Sequence, residues 1–76
     1  MTNKVKVITH YDKKDTTFSG DYCSIDIEIN GIPVVSFGDH YHDHGREKCQ
    51  GFIEACLYFI PDIEIERINV ADCDML

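Results

Sequence analysis

The sequence predicts an α+β fold: an antiparallel β-sheet in the order β-β-β-α-β, with one helix packed on one face. Three observations carry this. Cys23, Ile25, Ile27 and Ile29 alternate with Ser24, Asp26 and Glu28, the period of a half-buried strand. Asn30-Gly31 follows at once and supplies the two positive-φ positions of a tight hairpin turn. Cys49, Phe52, Ile53, Cys56 and Ile60 then recur at spacings of 3, 1, 3 and 4, a single apolar stripe on a helix.

The elements follow in order. Val5, Val7 and Thr9 alternate with Lys4, Lys6 and Ile8, giving a first strand over 4–11. Asp12-Lys13-Lys14-Asp15 is a polar turn, Thr16-Thr17-Phe18 can extend a hairpin, and Ser19-Gly20-Asp21 breaks the chain again. The second strand runs to Ile29, and the Asn-Gly turn leads into a third over 32–38. A two-residue loop sets Ile29 opposite Ile32, Ile27 opposite Val34 and Ile25 opposite Ser36. Val35 and Phe37 then fall on the outer face across from Asp26 and Ser24, an apolar spot rimmed by Asp26 and Glu28.

The helix is expected over 43–60. Asp43 is placed as N-cap, Gly45 and Gly51 lower its propensity, Gly51 is assigned to close packing, and Pro61 ends it. A last strand over 63–70 changes apolar phase after Ile65, which predicts a bulge at Glu66-Arg67. Residues 71–76 are expected to form a loose tail.

At 76 residues the chain is one domain, 1–76, with 43% hydrophobic and 28% charged residues, the composition of a folded soluble protein. A chain so short hides only about 60% of the surface its unfolded form exposes, which leaves little room for a deep active site. No apolar run approaches the ~20 residues of a membrane span, and the start, Met1-Thr2-Asn3-Lys4-Val5-Lys6, lacks a signal-peptide core. No membrane association is expected. The cysteines at 23, 49, 56 and 73 stand singly. Cys49 and Cys56 lie about 10.5 Å apart along a helix, too far to bond to each other. Reduced thiols in a cytoplasmic protein are the expectation, with Cys49 and Cys56 as small buried hydrophobes.

Seven cations against 14 acids give a net charge of −7, which disfavours direct nucleic-acid binding. The charge is segregated. Residues 1–14 hold four lysines against Asp12, a net of +3, whereas residues 15–76 hold 13 acids and 3 bases, a net of −10. Asp43, Glu47 and Glu54 fall off the apolar stripe of the helix, and Glu64, Glu66, Asp72 and Asp74 follow downstream. Such a surface fits a partner that is basic.

Catalytic motifs are absent. Ser19, Ser24 and Ser36 have no nucleophile-elbow context, and no phosphate-cradling glycine motif occurs. Cys49 beside His44 lies on the core stripe, where a thiol is inert. The chain is read as no enzyme, with no cofactor. His40, His42 and His44 form the densest polar cluster and are the alternative, a metal-binding module. Their spacing matches no structural zinc pattern, and a polar strand-to-helix turn explains them more simply.

In length, acidity and β-β-β-α-β order the whole chain resembles small accessory proteins of phages and prophages, including anti-CRISPR proteins and other inhibitors of host defence. That resemblance implies a cytoplasmic inhibitor that occupies a basic, nucleic-acid-binding surface of a partner protein. Val35-Ser36-Phe37 before the helix is also similar to the third strand of HicB-type antitoxins. The Pro-Gly-containing turn of that family is replaced here by Gly38-Asp39-His40-Tyr41-His42. The function expected is therefore protein interaction. The candidate surface is Asp43, Glu47 and Glu54 on the helix, together with Asp26, Glu28, Val35 and Phe37 on the outer face of the sheet. A homodimer is compatible with it.

Overall fold

A computed structural model describes residues 2–38 and 44–74. Its elements are β1 (Asn3–Asp12), β2 (Tyr22–Ile29), β3 (Ile32–Gly38), α1 (Gly45–Phe59) and β4 (Ile63–Cys73), in the expected β-β-β-α-β order. The strands form one sheet in the order β3-β2-β1-β4, with α1 against the β2–β3 half of one face. The α+β class with one helix on one face is thus what the sequence predicts.

The sheet is mixed, however, because β4 pairs with β1 in parallel. The parity of the connections requires this. Two antiparallel steps make β3 parallel to β1, and a helix returning along the sheet delivers the next strand parallel to β3. Pairing begins at Asn3–Ile63 and runs unbroken to Tyr11–Ala71, so the bulge expected at Glu66-Arg67 does not occur. Ile63 and Ile65 face the core below the helix, whereas Ile68 and Val70 lie on the opposite face, in register with Ile8 and His10. The phase change in the sequence marks where the core-side positions of β4 pass from Ile63 and Ile65 to Arg67 and Asn69.

The β2–β3 hairpin turns as expected, with Asn30 at φ 52° and Gly31 at φ 82°, and Ile29 opposite Ile32. One step further the register slips. Glu28 pairs with Pro33 and Ile27 with Val35, leaving Val34 as the extra residue of a bulge. The expected pairs Ile27–Val34 and Ile25–Ser36 are replaced by Ile27–Val35 and Ile25–Phe37. Val35 and Phe37 therefore pack on the core, and Phe37 meets Phe52 edge-on at 6.3 Å between ring centroids. Turning a phenylalanine inward in place of serine is worth about 2 kcal/mol. The bulge costs about one ladder hydrogen bond, near 1 kcal/mol, and Pro33 has no N–H to forfeit.

Val5, Val7, Tyr11, Tyr22, Ile25, Ile27, Cys49 and Ile53 make the buried core. The helix starts after His44, which has left-handed φ and ψ of 49° and 46° and makes no side-chain cap. Asp43, the expected N-cap, lies outside the described residues. At the other end Ile60 turns extended while its N–H still reaches the Cys56 carbonyl at 2.9 Å. Asn3 then closes the bottom of the sheet: its side-chain amide donates to the Pro61 carbonyl at 2.8 Å and its backbone N–H to Asp62 at 2.8 Å.

Close packing falls on Gly45, not on Gly51. A Cβ on Gly45 would sit 2.5 Å from the Gly38 carbonyl oxygen and 2.7 Å from the Tyr22 hydroxyl, whereas nothing lies within 4 Å of one on Gly51. Gly45→Ala should therefore destabilise by about 1–3 kcal/mol through overpacking. Gly51→Ala should stabilise by about 0.5–1 kcal/mol through helix propensity. Urea midpoints of the two variants moving in the same direction would contradict this placement.

Cysteine pairing also departs from expectation. Cys49 and Cys56 are free and buried as anticipated, but Cys23 and Cys73 form a disulfide, Cα to Cα 6.8 Å. Both lie where the registers slip beside the end of β1: Tyr11 pairs with Tyr22, skipping Cys23, and Asp12 pairs with Cys73, skipping Asp72. The bond spans from β2 to β4 across that end. The loose tail expected from residue 71 is thus strand through Cys73.

Candidate functional site

Two surfaces carry chemistry. The first is the face of the sheet that the helix leaves uncovered. Alternation sends Lys4, Lys6, Ile8 and His10 of β1 to this face, with Ser24, Asp26 and Glu28 of β2 beside them. His10 lies between two carboxylates. Its Nδ1 is 2.8 Å from Asp72 Oδ1 and its Nε2 is 2.9 Å from Asp26 Oδ2. The other oxygen of Asp26 accepts from the Ser36 hydroxyl at 2.6 Å. One polar chain, Ser36–Asp26–His10–Asp72, thus crosses all four strands. The bulge in β3 makes this possible, since it turns Ser36 outward opposite Asp26.

The order of that chain decides its chemistry. In a nucleophilic triad the imidazole touches the serine and a carboxylate orients the imidazole. Here the carboxylate of Asp26 separates serine from histidine, so no imidazole lies against the Ser36 hydroxyl. The chain is a structural tie. Burial alone would lower the His10 pKa, but the hydrogen bond and charge of Asp72, followed by those of Asp26, outweigh it and raise the pKa above the ordinary 6.5.

A raised folded-state pKa makes stability greatest in acid. The contribution is complete below the unfolded value of 6.5 and is lost as pH climbs through the folded value. Wild-type protein should therefore melt at a lower temperature at pH 8.5 than at pH 6, and His10→Gln should remove most of that difference. Equal pH slopes for the two proteins would show that the tie holds no charge.

The second surface is the exposed side of α1. Glu47, Gly51, Glu54 and Tyr58, spaced 4, 3 and 4, form a ridge opposite the Cys49–Ile53–Cys56 stripe, and all four are exposed. The ridge ends in three exposed apolar groups, Leu57 at 51%, Tyr58 at 85% and Phe59 at 79%, the two rings being the most exposed large apolar side chains among the described residues. Tyr58 and Phe59 stack edge to face at 5.2 Å. The acidic face therefore runs directly into an aromatic tip.

The predicted site residues divide accordingly. Glu47 and Glu54 are brought together on the ridge, while Asp43, His40 and His42 lie outside the described residues. His44 is exposed, with its Nδ1 3.7 Å from Glu47 Oε2. Asp26 and Glu28 face away from the helix as expected. Val35 and Phe37 do not join them, because the bulge takes both to the core face, and the apolar spot foreseen on the outer face is absent. His10, Ser36 and Asp72 were missed as a set. The alternation of β1 already sends His10 outward, but its two partners come from strands whose register only the fold decides. Leu57, Tyr58 and Phe59 were legible as residues off the helical stripe.

Among the described residues no helix is long and apolar enough to cross a membrane, and no group of three or more His, Cys, Asp or Glu could hold a metal. Comparison with protein-family models, with curated proteins and with solved structures finds no match to the chain.

Proposed function

We propose that the protein works by binding and not by catalysis, and that the exposed ridge of α1 docks on a basic surface of a partner protein. The observation that supports this reading is the aromatic tip Leu57-Tyr58-Phe59, 51%, 85% and 79% exposed, contiguous with Glu54 on an acidic helix face. Exposing two aromatic rings costs solubility, and aromatic side chains are the ones that most often dominate interface energy. Glu47 and Glu54 steer the approach to a cationic groove, and the rings supply the desolvated centre that sets residence time.

This arrangement keeps the division of labour expected from the sequence and moves its apolar half from Val35 and Phe37 to the helix tip. Edge strand β3 is less suited to docking, because Pro33 interrupts its free backbone edge. The specific form of the proposal is an inhibitor that covers the nucleic-acid-binding surface of a host-defence protein, as the resemblance in architecture and acidity implies. A cytoplasmic site of action sits against the Cys23–Cys73 bond, since cytosolic glutathione keeps most thiols reduced.

Affinity capture from the native host tests the reading with three baits: wild type, Glu47→Lys/Glu54→Lys, and Tyr58→Ser/Phe59→Ser. A basic partner that elutes at high salt and is lost from both variants supports it. With that partner in hand, charge reversal should slow association and flatten its salt dependence, while ring removal should mainly speed dissociation. A partner retained equally by all three baits would sink the proposal.

A further inference from the structure

Because α1 lies over β2 and β3, a cleft of about 300 Å³ opens beside it over β1 and β4. Its polar lining is Arg46 and Gln50 from the flank of the helix, Thr9 from β1, and Arg67 and Asn69 from β4, over apolar side chains that include Cys49. Arg46 and Arg67 are the two arginines of the whole chain. Among the described residues no carboxylate lines this cleft and neither arginine forms an ion pair.

Arg46 is held in place without being neutralised. Its guanidinium lies over the Tyr22 ring, 4.8 Å from the centroid, and one Nη donates to the Tyr11 hydroxyl at 3.2 Å. A guanidinium carries five N–H donors, so most of its donors remain free for a ligand. Arg67 is near enough to the cleft floor for its charge to oppose the upward push that burial gives the Cys49 thiol. Two unneutralised guanidiniums at one cleft repel each other, and an oxyanion between them reverses the sign of that interaction. Gln50 and Asn69 add neutral amide donors at the same mouth. In a protein of net charge −7, both arginines line one cleft whose described lining holds no acid.

We propose that this cleft is a binding site for a small organic anion bearing a phosphate or carboxylate group, gripped by Arg46 and Arg67 and oriented by Gln50 and Asn69. The volume suits a compact metabolite and not a polymer. The site is separate from the acidic ridge of α1, so either can fail without the other.

Amide-resolved NMR titrations at constant ionic strength test it, with inorganic phosphate, adenosine monophosphate and citrate as probes. At least one probe should shift the amides of residues 46–50 and 67–69 saturably, with a midpoint at or below about 1 mM. Arg46→Gln and Arg67→Gln should each weaken that binding by about tenfold or more, and Arg67→Lys should weaken it as well, because an ammonium lacks the two-pronged fork. Lys13→Gln, which removes a cation paired with Asp74, should leave it unchanged. Response to phosphate and adenosine monophosphate but not citrate assigns a phosphate ligand, and the reverse assigns a carboxylate. Arg67 is exposed and its replacement should fold; if it does not, Gln50→Ala and Asn69→Ala carry the same comparison. No saturable shift with any probe up to about 10 mM, or equal affinity after loss of Arg67, would overturn the proposal.

Discussion

Ile53→Ala should remove about 3–4 kcal/mol of stability, a large share of the roughly 4–11 kcal/mol that a domain of this size commands. Ile53 is 2% exposed and projects from the middle of α1 into the core formed by Val5, Val7, Ile25 and Ile27. Among the described residues one helix covers the sheet, and no second element lies on that face to fill the cavity that alanine leaves. Ile27, fully buried on β2, should respond similarly. Phe52 is the informative contrast. The helical stripe marks it as an anchor, but it is half-buried and meets Phe37 at the border of the core, so Phe52→Ala should cost less than Ile53→Ala. Urea unfolding with an unchanged slope would report both differences directly. An Ile53→Ala protein within about 1 kcal/mol of wild type would mean that α1 does not pack through this stripe.

Replacing both Cys23 and Cys73 with serine should cost about 4 kcal/mol. The bond closes a segment with a sequence separation of 50, and loop-closure entropy for that length predicts such a magnitude. It also anchors the end of β4, an edge strand paired only with β1. Asp72 precedes Cys73, so freeing this end should also loosen the contact between Asp72 and His10 and reduce the fall in melting temperature from pH 6 to 8.5. Alkylation in denaturant gives an independent reading: two thiols, Cys49 and Cys56, should react before reduction and four after it. Four reactive thiols without reductant would show the bond absent from the isolated protein. A loss below about 1 kcal/mol in the serine variant would show that the bond fastens an end already held by the parallel ladder.

The candidate site was legible in proportion to how local its determinants are. Glu47 and Glu54 could be placed on an exposed helix face because 3.6 residues per turn fixes their direction relative to Cys49, Ile53 and Cys56. Val35 and Phe37 could not be placed by counting from Asn30-Gly31. A single extra residue, Val34, reverses the direction of everything beyond it, and the decision to insert it depends on Phe52 waiting on the helix. The Ser36–Asp26–His10–Asp72 chain and the Arg46–Arg67 cleft were not legible at all, since each joins side chains from different elements whose pairing and placement only the fold decides.

What the sequence determined by itself is the set of elements: four strands and one helix, a hairpin at Asn30-Gly31, a helix end before Pro61, buried Cys49 and Cys56, and a strongly acidic surface. Each follows from interactions within a few residues or from a repeat along one element. The tertiary structure alone decided the parallel entry of β4, the slip in β3, the Cys23–Cys73 bond and the face on which each charge converges. These depend on which strand lies beside which and on where the helix comes down. With one helix too narrow to cover four strands, burial is uneven: β2 and β3 lie under Phe52 and Ile53 of the helix, while Arg67 and Asn69 at the far edge on β4 stay exposed.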